Sequence, residues 1–249
     1  ALDVYIECCK IKEELYRECK DDCEKEDLLI SWMLSAFNVG LLAKDIYLYE
    51  DAYRIILKAN EIRLQKLNKC SKDYCSSINV QAELEILLFG EIQSSEIVRA
   101  IKSRIDLPQD FTETLQHTWY ICALNCYCQK NYTLALKYIN KALLMEENNQ
   151  FYDLRQEVRI YILIGNIKFE IAKMGEGKYE DAERNYLIAK QKLIGEYGEN
   201  SVYLKGIYEC LVARFGDKYL TEYTQINKLY SEDIEETENK IRQFEFGEI

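Results

Sequence analysis

Turn-forming residues are scarce in this chain, which has one proline and ten glycines among its 249 residues. A many-stranded sandwich or barrel needs frequent turns, and those turns depend on glycine and proline. The scarcity therefore excludes an all-β fold. Hydrophobic residues make up 48% of the chain and charged residues 30%, which is the composition of an ordinary globular protein with a core of its own.

Histidine is scarcer still, because His117 is the only one. Covalent and acid-base catalysis need a nucleophile beside a base, and His117 with Cys122 or Cys126 is the one Cys-His arrangement that the sequence offers. No G-x-G-x-x-G or Walker pattern is present to hold a phosphate. We therefore expect a protein that is not an enzyme and that has no cofactor.

Basic residues are outnumbered, since 43 acidic and 32 basic residues leave a net charge of -11. A domain that binds nucleic acid neutralises phosphates with lysine and arginine, so this charge has the wrong sign. We expect no direct binding of nucleic acid. Neighbouring carboxylates such as Glu13 and Glu14 are typical of a solvated acidic surface.

The ten cysteines could have three roles, as a disulfide framework, as a metal site or as free thiols. Disulfide frameworks are typical of small secreted domains without a sufficient core, whereas this chain is long and apolar. Structural zinc sites use cysteine or histidine pairs in short loops. Cys19 and Cys23, like Cys122 and Cys126, instead have the four-residue spacing of one helix face. We expect no metal, and thiols that pack on helices in a reducing cytoplasm.

No segment is long enough to predict membrane insertion. The longest apolar run, Leu28 to Ala43, has 16 residues and is interrupted by Ser31, Ser35 and Asn38, whereas a span needs about 18 to 20 residues. This run predicts a buried helix. No secretory signal is visible at the start of the sequence, so we expect a cytoplasmic protein.

Apolar residues recur at helical spacing along most of the chain, as at Trp119, Cys122 and Cys126, and strict alternation is not sustained. The pattern predicts an all-α fold of about ten helices. The segment from Cys70 to Ser77 is polar enough to predict an exposed loop. Pro108 marks the clearest boundary, between an N-terminal half over residues 1–107 and a C-terminal half over residues 108–249.

Small residues repeat along the chain at matching intervals. The same offsets occur in three stretches, and each pairs a small residue in one helix with small and large residues in the next. We expect the small residues to let paired helices approach closely, and the large ones to project into the junction with the next pair. The first copy contains Gly40, Ala52, Ile56 and Ala59, the second Ala123, Ala135, Ile139 and Ala142, and the third Gly165, Ala182, Tyr186 and Ala189.

These offsets resemble the tetratricopeptide-repeat family, most clearly from about Thr114 to Tyr230, and the third copy is similar to the longer kinesin-light-chain type of repeat. The resemblance implies a right-handed α-α superhelix, with residues 1–107 as a degenerate repeat half and residues 108–249 as repeats with a C-terminal capping helix, together one continuous solenoid. A concave groove would then hold a peptide or a segment of another protein.

The resemblance also implies which residues face that groove, because fixed positions of the first helix in each repeat line it in the family. Asn38, Asn166 and Arg159 are the sharpest candidates, since an amide can clamp an extended backbone and a guanidinium can bind a carboxylate. The implied groove residues of interest are Asn38, Lys44, His117, Tyr120, Tyr127, Arg159, Asn166 and Phe169.

The leading hypothesis is therefore a non-enzymatic adaptor or scaffold that binds a peptide or protein segment. Similar repeats form the sensory part of peptide-pheromone receptors, and that function is the first alternative. The second alternative is a self-associating subunit of a larger complex, such as a homodimer, with the groove filled by the chain's own terminal helix from Glu232 to Phe244.

Overall fold

A computed structural model describes residues 2–69, 71–105, 112–146 and 153–245 of the chain. Within these ranges all regular secondary structure is helical, comprising eleven α-helices and two short 3-10 helices, and no strand occurs. The predicted all-α class is therefore confirmed. The α-helices are α1 (Leu2–Glu18), α2 (Asp22–Asp45), α3 (Tyr49–Lys66), α4 (Lys72–Phe89), α5 (Ser95–Ile105), α6 (Thr112–Cys128), α7 (Tyr132–Glu146), α8 (Leu154–Lys173), α9 (Tyr179–Tyr197), α10 (Lys205–Phe215) and α11 (Leu220–Arg242).

Several helices begin where the sequence supplies a capping side chain. The carboxylates of Asp21 and Asp153 and the hydroxyl of Ser71 accept hydrogen bonds from backbone N–H groups of the first turn of α2, α8 and α4. These side chains satisfy donors that have no partner within the helix itself. The starts of α2, α4 and α8 are thus encoded locally.

The predicted loop over Cys70 to Ser77 is wrong, because α4 begins at Lys72. Tyr74, Cys75 and Ser77 in its first turns are buried. The polar composition misled the prediction, because α4 buries polar side chains such as Ser77, Gln81 and Glu83 in hydrogen bonds with α2 and α3. A polar segment predicts exposure only when its polar groups lack partners inside the protein.

Three pairs of consecutive helices pack closely, namely α2 with α3, α6 with α7, and α8 with α9. Short connections join the helices of each pair, so each pair is an antiparallel helical hairpin. The hairpins coincide with the three sequence copies. Their alanines are fully buried, comprising Ala52, Ala59, Ala123, Ala135, Ala142, Ala182 and Ala189.

The two glycines of the pattern lie under large side chains of the partner helix. A Cβ atom on Gly40 would lie 2.7 Å from Ile56 Cδ1, and one on Gly165 would lie 2.8 Å from two ring atoms of Tyr186. Ile56 and Tyr186 therefore pack onto the first helix of their own hairpin. The sequence predicted that they also project into the junction with the next pair, and the Tyr186 ring lies 6.3 Å from Phe215 of α10.

The first helix of each hairpin ends with the same capping geometry. Tyr47, Lys130 and Gly175 each adopt a positive φ two residues after the helix. The N–H of each donates to the carbonyl three residues before it, and the next N–H donates to the carbonyl five residues before it. This is the Schellman motif, in which a left-handed residue satisfies the last carbonyls of a helix. The three hairpins thus share a turn as well as buried small residues.

The chain forms two compact units, one comprising Ala1–Ile101 with Glu235–Ile249 and the other Lys102–Ile234. The end of α11 therefore belongs to the first unit, where Arg54 of α3 donates a 2.9 Å hydrogen bond to the carbonyl of Phe244. Pro108, the predicted boundary, lies outside the described residues. The hairpin α2/α3 is in the first unit, and the other two hairpins are in the second.

Helix α2 contains the predicted buried segment Leu28 to Ala43, and nine of its residues are buried, including Trp32, Met33 and Lys44. Among the described residues, α2 is also the one helix that is long and apolar enough to cross a membrane by length and composition alone.

The nine described cysteines are free thiols.

Candidate functional site

The implied groove residues lie on the first helices of the three hairpins, as their spacing predicts. Asn38 and Lys44 lie on α2 in the first unit, and the other six lie on α6 and α8 in the second unit. Helices α6 and α8 contact each other, so the structure brings those six onto neighbouring helices. Tyr120 is buried, with 6% of its surface exposed. Five of the six are half-buried and form what we call the α6/α8 face, comprising His117, Tyr127, Arg159, Asn166 and Phe169.

Lys44 lies in the interior of the first unit rather than on a half-exposed surface. Its Nζ atom is 2.6 Å from Glu83 Oε2 on α4, and the side chains of both residues are less than 5% exposed. The sequence did not indicate this partner, which is 39 residues away. The ion pair gives Lys44 a part in packing, and a part in ligand binding stays a prediction.

Asn38 is half-buried on α2, next to Phe37. The guanidinium of Arg63 on α3 lies 4.5 Å from the centre of the Phe37 ring, and Arg63 Nε donates a 3.1 Å hydrogen bond to Ser77 Oγ. This contact is a cation-π interaction in a buried environment. These contacts belong to the neighbouring Phe37, and a part of Asn38 in ligand binding stays a prediction.

Asn166 has a partner inside its own hairpin. The hydroxyl of Tyr186 on α9 donates a 2.7 Å hydrogen bond to Asn166 Oδ1. The amide oxygen of Asn166 thus satisfies the hydroxyl of a fully buried tyrosine. The amide nitrogen of Asn166 is the part of the side chain that can donate to a ligand backbone.

His117 and Arg159 are half-buried near the starts of α6 and α8. The ring of His117 lies 6.0 Å from that of Tyr120, one helical turn further along. Both His117 and Arg159 also have interactions within the protein. At the opposite end of the same helices lie the aromatic side chains Tyr127 and Phe169. The α6/α8 face therefore runs from polar groups at one end to aromatic rings at the other.

Arg214 and Phe215 of α10 complete the aromatic end, and the sequence prediction missed both. The Phe215 ring lies 5.8 Å from that of Phe169. The Arg214 guanidinium lies 5.5 Å from the Phe169 ring and is near enough to the Tyr127 hydroxyl to act on its pKa. The repeat pattern fades in this helix, so no spacing signal could have assigned these residues to the site.

The guanidinium of Arg214 is held by rings and neutral groups. It lies 5.7 Å from the Tyr186 ring and donates a 3.5 Å hydrogen bond to the carbonyl of Cys210, while its buried Nε atom has no hydrogen-bond partner. Among the described residues no carboxylate lies within ion-pair distance of it, although Glu170 is near enough to act on the Tyr127 hydroxyl. Burial raises the pKa of Tyr127, so its hydroxyl stays protonated at neutral pH.

The thiols next to this face are unsuited to nucleophilic attack. Burial raises the pKa of Cys122 to about 12, and burial also raises the pKa of Cys126 and Cys128. The thiolate is the reactive form of cysteine. Within the described ranges, no group of three or more histidine, cysteine, aspartate and glutamate side chains is arranged to hold a metal ion.

No family model matches this sequence, and no curated protein is significantly similar to it.

Proposed function

We propose that this protein is a helical-repeat module that binds a peptide or a segment of another protein on the α6/α8 face. The observation that carries the proposal is the composition of that face. Two neighbouring helices present an imidazole, a guanidinium, an amide, a phenol and a phenyl ring, all half-buried. Partly exposed aromatic and arginine side chains are typical of protein recognition surfaces.

The proposal includes the finer architecture that the sequence resemblance implies. The three hairpins with their shared caps would stack in the manner of tetratricopeptide repeats, and α6 and α8 would line the concave side of a right-handed superhelix. The shared buried alanines and shared turns support equivalence of the hairpins. In this architecture the ligand lies along the first helices and contacts residues from successive hairpins.

We propose that binding is the whole activity of the described region. The thiols beside the α6/α8 face have raised pKa values, and the ring of His117 lies 6.0 Å from that of Tyr120. Free thiols at all nine described cysteines are in keeping with a reducing compartment such as the cytoplasm. The acidic surface argues against nucleic acid as the ligand.

A display library of random linear peptides tests the proposal. Peptides selected on the whole chain are measured by fluorescence anisotropy against the wild type and against Arg159→Ala and His117→Ala. The matched control is Met174→Ala, because Met174 is 56% exposed in the connection after α8 and is outside the face. We expect each face variant to weaken binding by about fivefold or more, an effect of about 1 kcal/mol, and the control to bind like the wild type.

The selection overturns the proposal if no peptide is enriched, or if the face variants bind selected peptides as well as the control does. Native mass spectrometry of the protein isolated from its own source then separates the two forms of the function. A co-purifying short peptide indicates a sensor, and a large co-purifying protein indicates an adaptor.

A further inference from the structure

Helix α1 has an exposed apolar stripe on the side that faces away from α2. Val4, Ile11 and Leu15 are 63%, 48% and 47% exposed. Their spacing of seven and four residues places all three on one face of a helix. The opposite side packs against α2, where Leu2 and Cys9 are buried. The stripe is thus a second apolar side that the packing of the first unit leaves uncovered.

Carboxylates lie along one flank of this stripe. Glu7, Glu14 and Glu18 are exposed, and helical geometry places them within about a quarter turn of Ile11. Asp3 continues the row, and it is tied to Lys240 at 2.8 Å. Two exposed cations lie beyond this row, Lys10 and Arg17, and Arg17 is paired with Glu13 at 2.5 Å. The flank is therefore negative.

We propose that this α1 outer face, formed by Val4, Ile11, Leu15, Glu7, Glu14 and Glu18, is a docking surface for an amphipathic helix of a partner protein whose apolar stripe is flanked by lysine or arginine. Aliphatic residues at this spacing match the seam of a helix pair. A basic flank on the partner neutralises the acidic one, and a second acidic helix is repelled.

The same charges argue against a second copy of this chain as the occupant. In an antiparallel pair of α1 helices the acidic flanks would face each other. In a parallel pair the acidic flank would face the side that carries Lys12. That ammonium already donates to the carbonyl of Ser31 at 3.0 Å and to the hydroxyl of Ser35 at 2.8 Å. In both arrangements the exposed carboxylates Glu7, Glu14 and Glu18 outnumber the cations beside them.

A display library on a single-helix scaffold, with one face randomised, tests the proposal. We expect selection on the whole chain to enrich helices with leucine or isoleucine at three- and four-residue spacing beside lysine or arginine. The double variant Ile11→Lys/Leu15→Lys should bind the selected helices at least about tenfold more weakly. Leu220→Lys is the matched control, because Leu220 is 44% exposed in the other unit.

Charge reversal supplies the second arm. The variant Glu7→Lys/Glu14→Lys/Glu18→Lys should lose the selected helices and bind versions in which their lysines are changed to glutamate. Circular dichroism of each variant checks that α1 is still folded. Enrichment of acidic helices, absence of enrichment, or equal binding by the Ile11→Lys/Leu15→Lys variant would overturn the proposal. So would a dimer in sedimentation velocity that the same double variant dissociates, because a second copy would then be the occupant.

This surface is independent of the α6/α8 face, and the variants separate the two. Ile11→Lys/Leu15→Lys should leave the binding of linear peptides unchanged, and Arg159→Ala should leave the binding of basic helices unchanged. Loss of one kind of binding therefore does not count against the other proposal.

Discussion

The hairpins α2/α3 and α8/α9 bury equivalent small residues, yet their first helices have different surroundings. At the equivalent position near the end of the first helix, α2 has Lys44 and α8 has Phe169. Lys44 forms a buried ion pair with Glu83 of α4. Phe169 packs against Tyr179 and Phe215. The small residues allow the two helices of a hairpin to pack closely. The residue at this equivalent position then forms an ion pair in α2 and aromatic contacts in α8.

Removing one partner of the buried Lys44–Glu83 ion pair should lower the free energy of unfolding the most. Glu83→Ala leaves the ammonium of Lys44 buried without its carboxylate, and removing one partner of a buried pair costs about 3 to 5 kcal/mol. Urea denaturation measures the loss. The double variant Lys44→Met/Glu83→Leu is the control and should recover most of the stability, because it removes both charges and keeps the volume. A Glu83→Ala protein within about 1 kcal/mol of wild type would contradict a buried pair.

Removing the hydrogen bond between Asn166 and Tyr186 in the hairpin α8/α9 should lower the free energy of unfolding by less. Asn166→Ala removes the acceptor of the buried Tyr186 hydroxyl, and an unsatisfied buried donor costs about 1 to 3 kcal/mol. Adding Tyr186→Phe should restore part of that loss, because the orphaned hydroxyl is then absent. Thermal denaturation of the two single variants and the double variant gives the coupling free energy between the two side chains. Purely additive effects would show that the hydrogen bond does not form. Asn166→Ala is consequently a poor test of ligand binding alone.

The two glycines should respond differently to alanine. At Gly165 the added methyl group meets the ring of Tyr186, which is enclosed and held by Asn166. Overpacking costs about 1 to 3 kcal/mol, and alanine in a helix returns about 1 kcal/mol, so a net loss of up to about 2 kcal/mol is expected.

At Gly40 the methyl group meets Cδ1 and Cγ1 of Ile56 at 2.7 Å, so the Ile56 side chain must shift. The second hairpin already pairs Ala123 with Ile139 at these positions, and both are fully buried. Gly40→Ala should therefore be close to neutral in the same denaturation experiment. Equal losses at Gly40 and Gly165 would mean that the Tyr186 ring is no stiffer a neighbour than Ile56.

Substitutions at the positive-φ residues that follow α6 and α8 should change stability the least. Lys130 adopts a φ of 60° that costs a non-glycine residue about 1 kcal/mol. Lys130→Gly should therefore raise the free energy of unfolding by up to about 1 kcal/mol, and Gly175→Ala should lower it by a similar amount. A Cβ atom on Gly175 would meet nothing within 4 Å, so its loss comes from backbone conformation alone. Effects of the same sign in the two variants would contradict the shared cap.

The sequence predicted the features that depend on local spacing. The positions of Gly40, Ala135 and Ala182 were enough to place the three hairpins, because close helix packing requires small residues at fixed intervals. The partners of Lys44 and Tyr127 could not be predicted, since Glu83 and Arg214 lie 39 and 87 residues away and no repeat position specifies them. The sequence predicted the residues of the α6/α8 face, including the aromatic Tyr127 and Phe169, but not Arg214 and Phe215 of α10 that pack beside them.

Hydrogen exchange of the whole chain, alone and with a library-selected linear peptide, shows directly whether a ligand binds on the α6/α8 face. Ligand contact and ordering slow amide exchange in the segments involved. We expect the peptide to slow exchange in α6 and α8 and to leave exchange in α2 to α4 unchanged. Slower exchange confined to helices of the first unit, with α6 and α8 unaffected, would contradict this expectation.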